Sequence, residues 1–309
     1  MLKQIKKVSF FIGLTLGSIL FIMQLSKTIN AIKGMSISIR YPILLIVGLF
    51  LEIIVYLNQM LIWGRIMESL GSNLRLSSFF SGYWLSYLPR YLPGSLWGYM
   101  SRGAWLSSSF NIDLSVSLMG SIIEVIVMAL SAVLFYAFSI YVNQPFMVII
   151  YLSVLPITWL IIKKVAHLIS SSNNKILKQL YGTNSLERTF SLIDWMFIFL
   201  YAFVSWLIFG FISILITFSI TTFPLPILLN YFITFCGIYA LSWLVGFLFV
   251  IVPSGLGIRE YFLASILMTT LNVSMDVGNA ISVVLRLLGF MAEFFWILVG
   301  VIVETKKNI

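Results

Sequence analysis

The chain has 309 residues, 61% of them apolar and only 9% charged, with a formal charge of +9 and a mean hydropathy of +1.06. A soluble domain is about 45–50% apolar and about 25% charged, and one core of this size cannot hide so much apolar surface. A soluble enzyme, a secreted disulfide scaffold and a disordered chain are excluded, and a polytopic, all-α integral membrane protein is implied.

Lys3, Lys6 and Lys7 precede an uncharged apolar run at 8–23. No small-x-small cleavage site follows it, so a retained first membrane helix is expected. A second span is predicted at 41–63, interrupted only by Glu52. The uncharged runs between Arg75 and Arg90 and between Arg90 and Arg102 are too short to cross a bilayer. Between them, Leu88-Pro89-Arg90-Tyr91-Leu92-Pro93-Gly94 breaks any helix. Two half-helices, 77–88 and 95–107, are therefore predicted to meet there as a re-entrant pair. Further spans are predicted at 114–141, 146–162, 190–220, 228–252 and 278–303. Pro253-Ser254-Gly255-Leu256-Gly257 ends one of them and opens a shorter helix at 258–271. The expectation is one membrane domain over 1–309 with about seven long spans. Its first half is 1–162, its second half 189–309, and a basic loop at 163–188 joins them.

Lysines cluster in the two tails, at Lys27 and Lys33, and between Lys163 and Lys178. The positive-inside rule then places both termini and the central loop in the cytoplasm, with the chain multi-pass in the cytoplasmic membrane. Lys27, Lys33 and Arg40 fall on the opposite side and are outvoted. The same rule accounts for the basic balance, so no nucleic-acid partner is expected.

Ionisable residues inside spans are costly and are functional candidates by default. The embedded set is Arg90, Arg102, Glu124, Asp194, Arg259, Glu260, Arg286 and Glu293. The plainer reading is that they pair off and fix helix packing. Arg286 and Glu293 are seven apart, on one helix face but two turns distant, and should find partners on other helices. Arg102 and Arg259 each follow a Pro/Gly break. Free N–H groups at a helix start attract anions, and the guanidinium fork matches a phosphate. Gly94, Gly98, Gly255 and Gly257 would let a headgroup approach the backbone. Seven aromatic residues between Tyr83 and Trp105 suit either interfacial anchoring or lipid contact.

Catalytic and cofactor signals are poor. No G-x-x-x-x-G-K-[ST] motif occurs, and Cys236 and His167 are the sole residues of their types. Neither a cofactor nor a metal is expected. Glu124, Glu260 and Glu293 could act as acid or base, but their spacing does not demand it.

Three segments occur in order: Tyr91-Leu92-Pro93-Gly94-Ser95-Leu96-Trp97-Gly98-Tyr99-Met100-Ser101-Arg102, then Ile122-Ile123-Glu124, then Pro253-Ser254-Gly255-Leu256-Gly257-Ile258-Arg259-Glu260. Together they resemble the membrane domain of lysylphosphatidylglycerol synthases, a domain that also forms stand-alone, flippase-like membrane proteins. Two positions depart from that pattern: Val125 stands where Arg commonly follows the middle glutamate, and Ser254 replaces a more usual Gly or Ala. The resemblance implies a module that moves phospholipid between leaflets, without the soluble domain that performs aminoacyl transfer. The expected activity is translocation or binding of an anionic lipid, a phospholipid or a polyprenyl-phosphate-linked sugar. A membrane-embedded transferase and an accessory subunit in envelope synthesis are the alternatives. The expected partners are anionic membrane lipids, with a homo-oligomer or envelope-synthesis proteins left open.

Overall fold

The computed structural model describes residues 38–72, 76–92, 97–110, 112–141, 153–161, 191–249 and 255–307, together with a few scattered positions. The expected first span at 8–23, nearly all of the basic loop at 163–188, and His167 lie outside the described residues. The predicted span at 146–162 is described only over its helical part, 153–161.

The described chain is helical throughout. Its labelled elements are α1 (Pro42–Ser69), α2 (Leu76–Leu85), a 3-10 turn (Leu88–Tyr91), α3 (Trp97–Phe110), α4 (Leu114–Ile140) and α5 (Leu192–Ile220). After these come α6 (Leu225–Asn230), α7 (Phe232–Leu248), α8 (Ile258–Leu271) and α9 (Met275–Lys307). Local chemistry sets the ends. Pro42 opens α1, where its missing N–H costs nothing. Gly71, at φ 85°, closes it, with Gly71 N–H and Ser72 N–H donating to the carbonyls of Glu68 and Met67. Ser191 caps α5 by accepting the Asp194 N–H at 3.0 Å.

Four helices, α1, α4, α5 and α9, are long and apolar enough to cross a membrane. Only 28% of the most apolar stretch of α1 is buried within the protein. Ile43, Ile46 and Phe50 on α1, and Phe294, Leu298 and Ile302 on α9, present bare apolar faces. A bilayer is the solvent for which such faces are suited.

The predicted span at 228–252 takes a different form. α6 ends at Asn230, α7 covers only Phe232–Leu248, and the chain has left the helix by Phe249. Val250 and Ile251 lie outside the described residues.

Printed contacts fix the directions. α1 and α5 are antiparallel, since Arg40 N–H and Ser219 Oγ–H bridge their outer ends while Asn58 Nδ2 donates to Tyr201 O at 2.7 Å. α7 runs against α5, pairing Phe209 with Tyr239 and Trp206 with Trp243. It enters the bundle from the end where α1 begins, and α8 turns back along it, with Arg259 against Gly246. From the opposite end, α2 descends along α9. Ser81 Oγ–H donates to Glu304 at 2.5 Å, Trp84 stacks on Trp296 at 4.8 Å, and Tyr91 reaches Glu293. α3 returns beside α2, bringing Arg102 to Ser86 and Trp105 to Gly82. Two half-length hairpins thus enter from opposite ends and stop partway along the long helices.

Candidate functional site

The two hairpin tips meet. Tyr99 on α3 lies edge-on to Phe247 at the end of α7, with ring centroids 6.5 Å apart. Around them is a cleft with roughly 650 Å³ of free space, its open mouth included, lined among others by Tyr56, Gln59, Arg90, Tyr99, Tyr239, Arg259, Arg286 and Glu293.

Each charge in the cleft has a structural origin. Arg90 comes from the 3-10 turn that Pro89 helps impose, and its guanidinium stands 4.4 Å from the Tyr87 ring. Gly98 makes room for it, because a Cβ there would collide with the Arg90 stem and Ser86 O. Arg259 is on the first turn of α8, 4.7 Å above the Tyr239 ring. Its stem fits because residue 246 is glycine. Arg286 and Glu293 come from one face of α9. Glu293 accepts from Tyr56 Oη at 2.8 Å and from Tyr91 Oη, so a carboxylate from the last helix holds both α1 and the first hairpin tip. Arg286 Nε lies 3.4 Å from Glu260 Oε1.

The start of α8 already holds an anion. Glu260 Oε2 accepts the Gly257 N–H at 2.6 Å, so the chain's own carboxylate sits on the partial positive charge of that helix end. The Gly257 N–H is thereby taken, and the arginines beside the break supply side-chain donors for a ligand.

The predicted site residues distribute unevenly. Arg90, Arg259, Arg286 and Glu293 share the cleft, with Glu260 directly behind it. Arg102 does not line the cleft. It is 1% exposed, its Nη1 is 2.6 Å from Glu124 Oε2, its Nε donates to Ser86, and it stacks 3.9 Å over Tyr83. Tyr83 Oη–H also donates to Glu124 at 3.0 Å, so the pair is fully engaged. Asp194 stands in the first turn of α5 and accepts from the Ser191 hydroxyl instead of meeting an embedded arginine. Gly255 packs on the backbone of Gly246, whereas Gly257 faces open space. Gly94 lies outside the described residues.

Glu52 belongs beside this set and was legible only as an interruption in an apolar run. It is the sole ionisable side chain between Arg40 and Arg65 apart from Tyr41 and Tyr56, and an isolated carboxylate within a span was the signal available. It is fully buried, within electrostatic range of Arg259, Arg286 and Glu293. Among the described residues, no three His, Cys, Asp or Glu side chains group as metal ligands would. No protein-family model, curated protein or solved structure matches the chain.

Proposed function

We propose that this chain binds the anionic headgroup of a membrane lipid in the cleft between the hairpin tips and carries it between leaflets. The observation that carries this reading is the set Arg90, Arg259 and Arg286 around one cleft. Among the described residues, neither Arg90 nor Arg259 has a carboxylate within ion-pair distance. Embedded arginines without such partners are expensive unless a cavity or a charged ligand meets them. Their planar forks match phosphate oxygens. Half-helices that meet near mid-depth are also how several transporter folds hold charged groups.

Arg90 and Arg286 replace Arg102 in this reading, because Arg102 is committed to Glu124. The finer expectations go with it: about seven spans in the cytoplasmic membrane, both termini cytoplasmic, and kinship with the flippase-like relatives of lysylphosphatidylglycerol synthases. The headgroup is a phosphodiester, on a phospholipid or on a polyprenyl chain.

The test is leaflet exchange of fluorescent phosphatidylglycerol in liposomes containing the purified protein, with a fluorescent phosphate-free galactosyl diacylglycerol as the uncharged-headgroup control. Arg259→Lys keeps the charge but loses the fork. Loss of a charge-assisted hydrogen bond costs about 1.5–3 kcal/mol, so the half-saturating lipid concentration should rise roughly 10- to 150-fold. If Arg90→Lys and Arg259→Lys both fold and move limiting phosphatidylglycerol at the wild-type rate, the reading is wrong.

A further inference from the structure

Glu52 stands out among the buried carboxylates. Glu124 and Glu293 accept from tyrosine hydroxyls, and Glu260 accepts a backbone N–H. Both carboxyl oxygens of Glu52 are buried and have no hydrogen-bond donor among the described residues. An ionised carboxylate in that setting costs far more than a protonated one.

Its surroundings say when the proton would leave. Tyr56 lies one turn on along α1, Tyr239 faces it from α7, Arg259 from α8, and Arg286 and Glu293 from α9. On the α5 side, one turn back, Gly48 meets the apolar Ile212 and Ile216. All five of the polar neighbours line the cleft, while Glu52 itself sits behind that wall. The local charges are Arg90, Arg259 and Arg286 against Glu293 and Glu260. With Glu52 neutral, this cluster carries one net positive charge; with Glu52 ionised, it carries none. A monoanionic phosphodiester therefore restores neutrality only when Glu52 holds a proton. Arg259 is the shared partner: it can answer an ionised Glu52 or a phosphate in the cleft.

Resting on the anion-site reading above, we propose that Glu52 is a proton site coupled to that cleft, so that a phosphodiester headgroup and one proton are taken up together. The proton comes from water and adds to a Glu52 carboxylate oxygen, and no bond in the lipid is made or broken. By linkage the two ligands strengthen each other's binding equally. Affinity for the headgroup is then highest at low pH and falls as Glu52 of the empty protein loses its proton.

The test uses short-chain phosphodiesters whose own charge is fixed between pH 5 and 8.5, dihexanoyl phosphatidylglycerol and farnesyl phosphoglucose, titrated into purified protein in detergent. Which probe binds tells a phospholipid from a polyprenyl source. For the wild type, the dissociation constant should rise with pH, by up to about tenfold per unit for one coupled proton. Glu52→Gln should give a flat profile at the low-pH affinity. Glu52→Asp and Glu293→Gln should keep a slope, which assigns the dependence to position 52. Without any variant, adding probe to lightly buffered wild type at pH 8.5, where more of the empty protein has released the Glu52 proton, should withdraw protons, read by a pH dye. Binding with no proton uptake, or an unchanged slope in Glu52→Gln, overturns the coupling while leaving the anion site standing. Failure of both probes to bind at any pH overturns both.

Discussion

Arg102 and Glu124 offer the sharpest test of how the first hairpin is held. The guanidinium contacts Glu124 at 2.6 Å, Ser86 at 3.1 Å and the Tyr83 ring at 3.9 Å, all but closed to solvent. Arg102→Met keeps an apolar stem and removes the charge, leaving Glu124 buried with one tyrosine. Stranding one partner of a buried pair costs about 3–5 kcal/mol. Glu124→Gln retains an acceptor for Tyr83 but strands the arginine, for a loss of about 3 kcal/mol on the same grounds. Arg102→Met with Glu124→Leu removes both charges and leaves chiefly the Tyr83 hydroxyl without its acceptor. That should cost only about 1–3 kcal/mol, well below the sum of the single changes. Denaturant unfolding in mixed micelles, followed by tryptophan fluorescence, measures all three, with Trp63 beside Arg102 as one of nine reporters. Additivity of the two single changes within about 0.5 kcal/mol would refute the pairing as the source of stability.

The two glycines of the second break should behave differently. Gly255→Ala meets the Gly246 backbone at φ 64° and should cost more than about 4 kcal/mol, seen as loss of the monodisperse peak on gel filtration. Gly257→Ala, at φ 85° with nothing within 4 Å, carries only left-handed strain and should lower stability by about 1–2 kcal/mol. For orientation, single cysteines at Asn143 and Ser171 in a Cys236→Ala background should label from outside whole cells at 143 and stay silent at 171. Labelling at 171 alone would invert the assignment.

What the sequence makes legible follows from where its signals are local. Pro89, Gly255 and Gly257 act on their own backbone, so the first break and the helix Ile258–Leu271 appear at the expected positions. The seven-residue spacing of Arg286 and Glu293 likewise puts both on one face of α9, and both reach the cleft. Face is not legible for a residue read alone. Arg90 and Arg102 flank the same break, but only the turn geometry sends the first to the cleft and the second to Glu124. Glu52 has no local motif at all. Its place beside Arg259 and Glu293 depends on helices more than 200 residues away in sequence. The end of α7 at Leu248 is equally hidden, because the hydropathy of the run does not change there.

The last helix has a consequence for how the chain comes to be built. Tyr56, Ser81, Tyr91 and Ile53 all direct polar groups to α9, across 202 to 243 intervening residues. Trp84 touches Phe80, Tyr83 and Tyr87 edge-on or tilted within the hairpin, and stacks face to face on Trp296. During synthesis, the first hairpin therefore waits with the Ser81 and Tyr91 hydroxyls and one face of the Trp84 indole unmatched until the ribosome has delivered α9. Contacts of such long range form late and leave their surfaces open to wrong partners in the meantime. A chain truncated before Met275 would keep Trp63 against Phe79 and the Arg102–Glu124 pair, but would lose the α9 partners of Ser81, Tyr91 and Trp84. Helix α9 thus completes the hold on an early segment that α1 and α4 grip only in part.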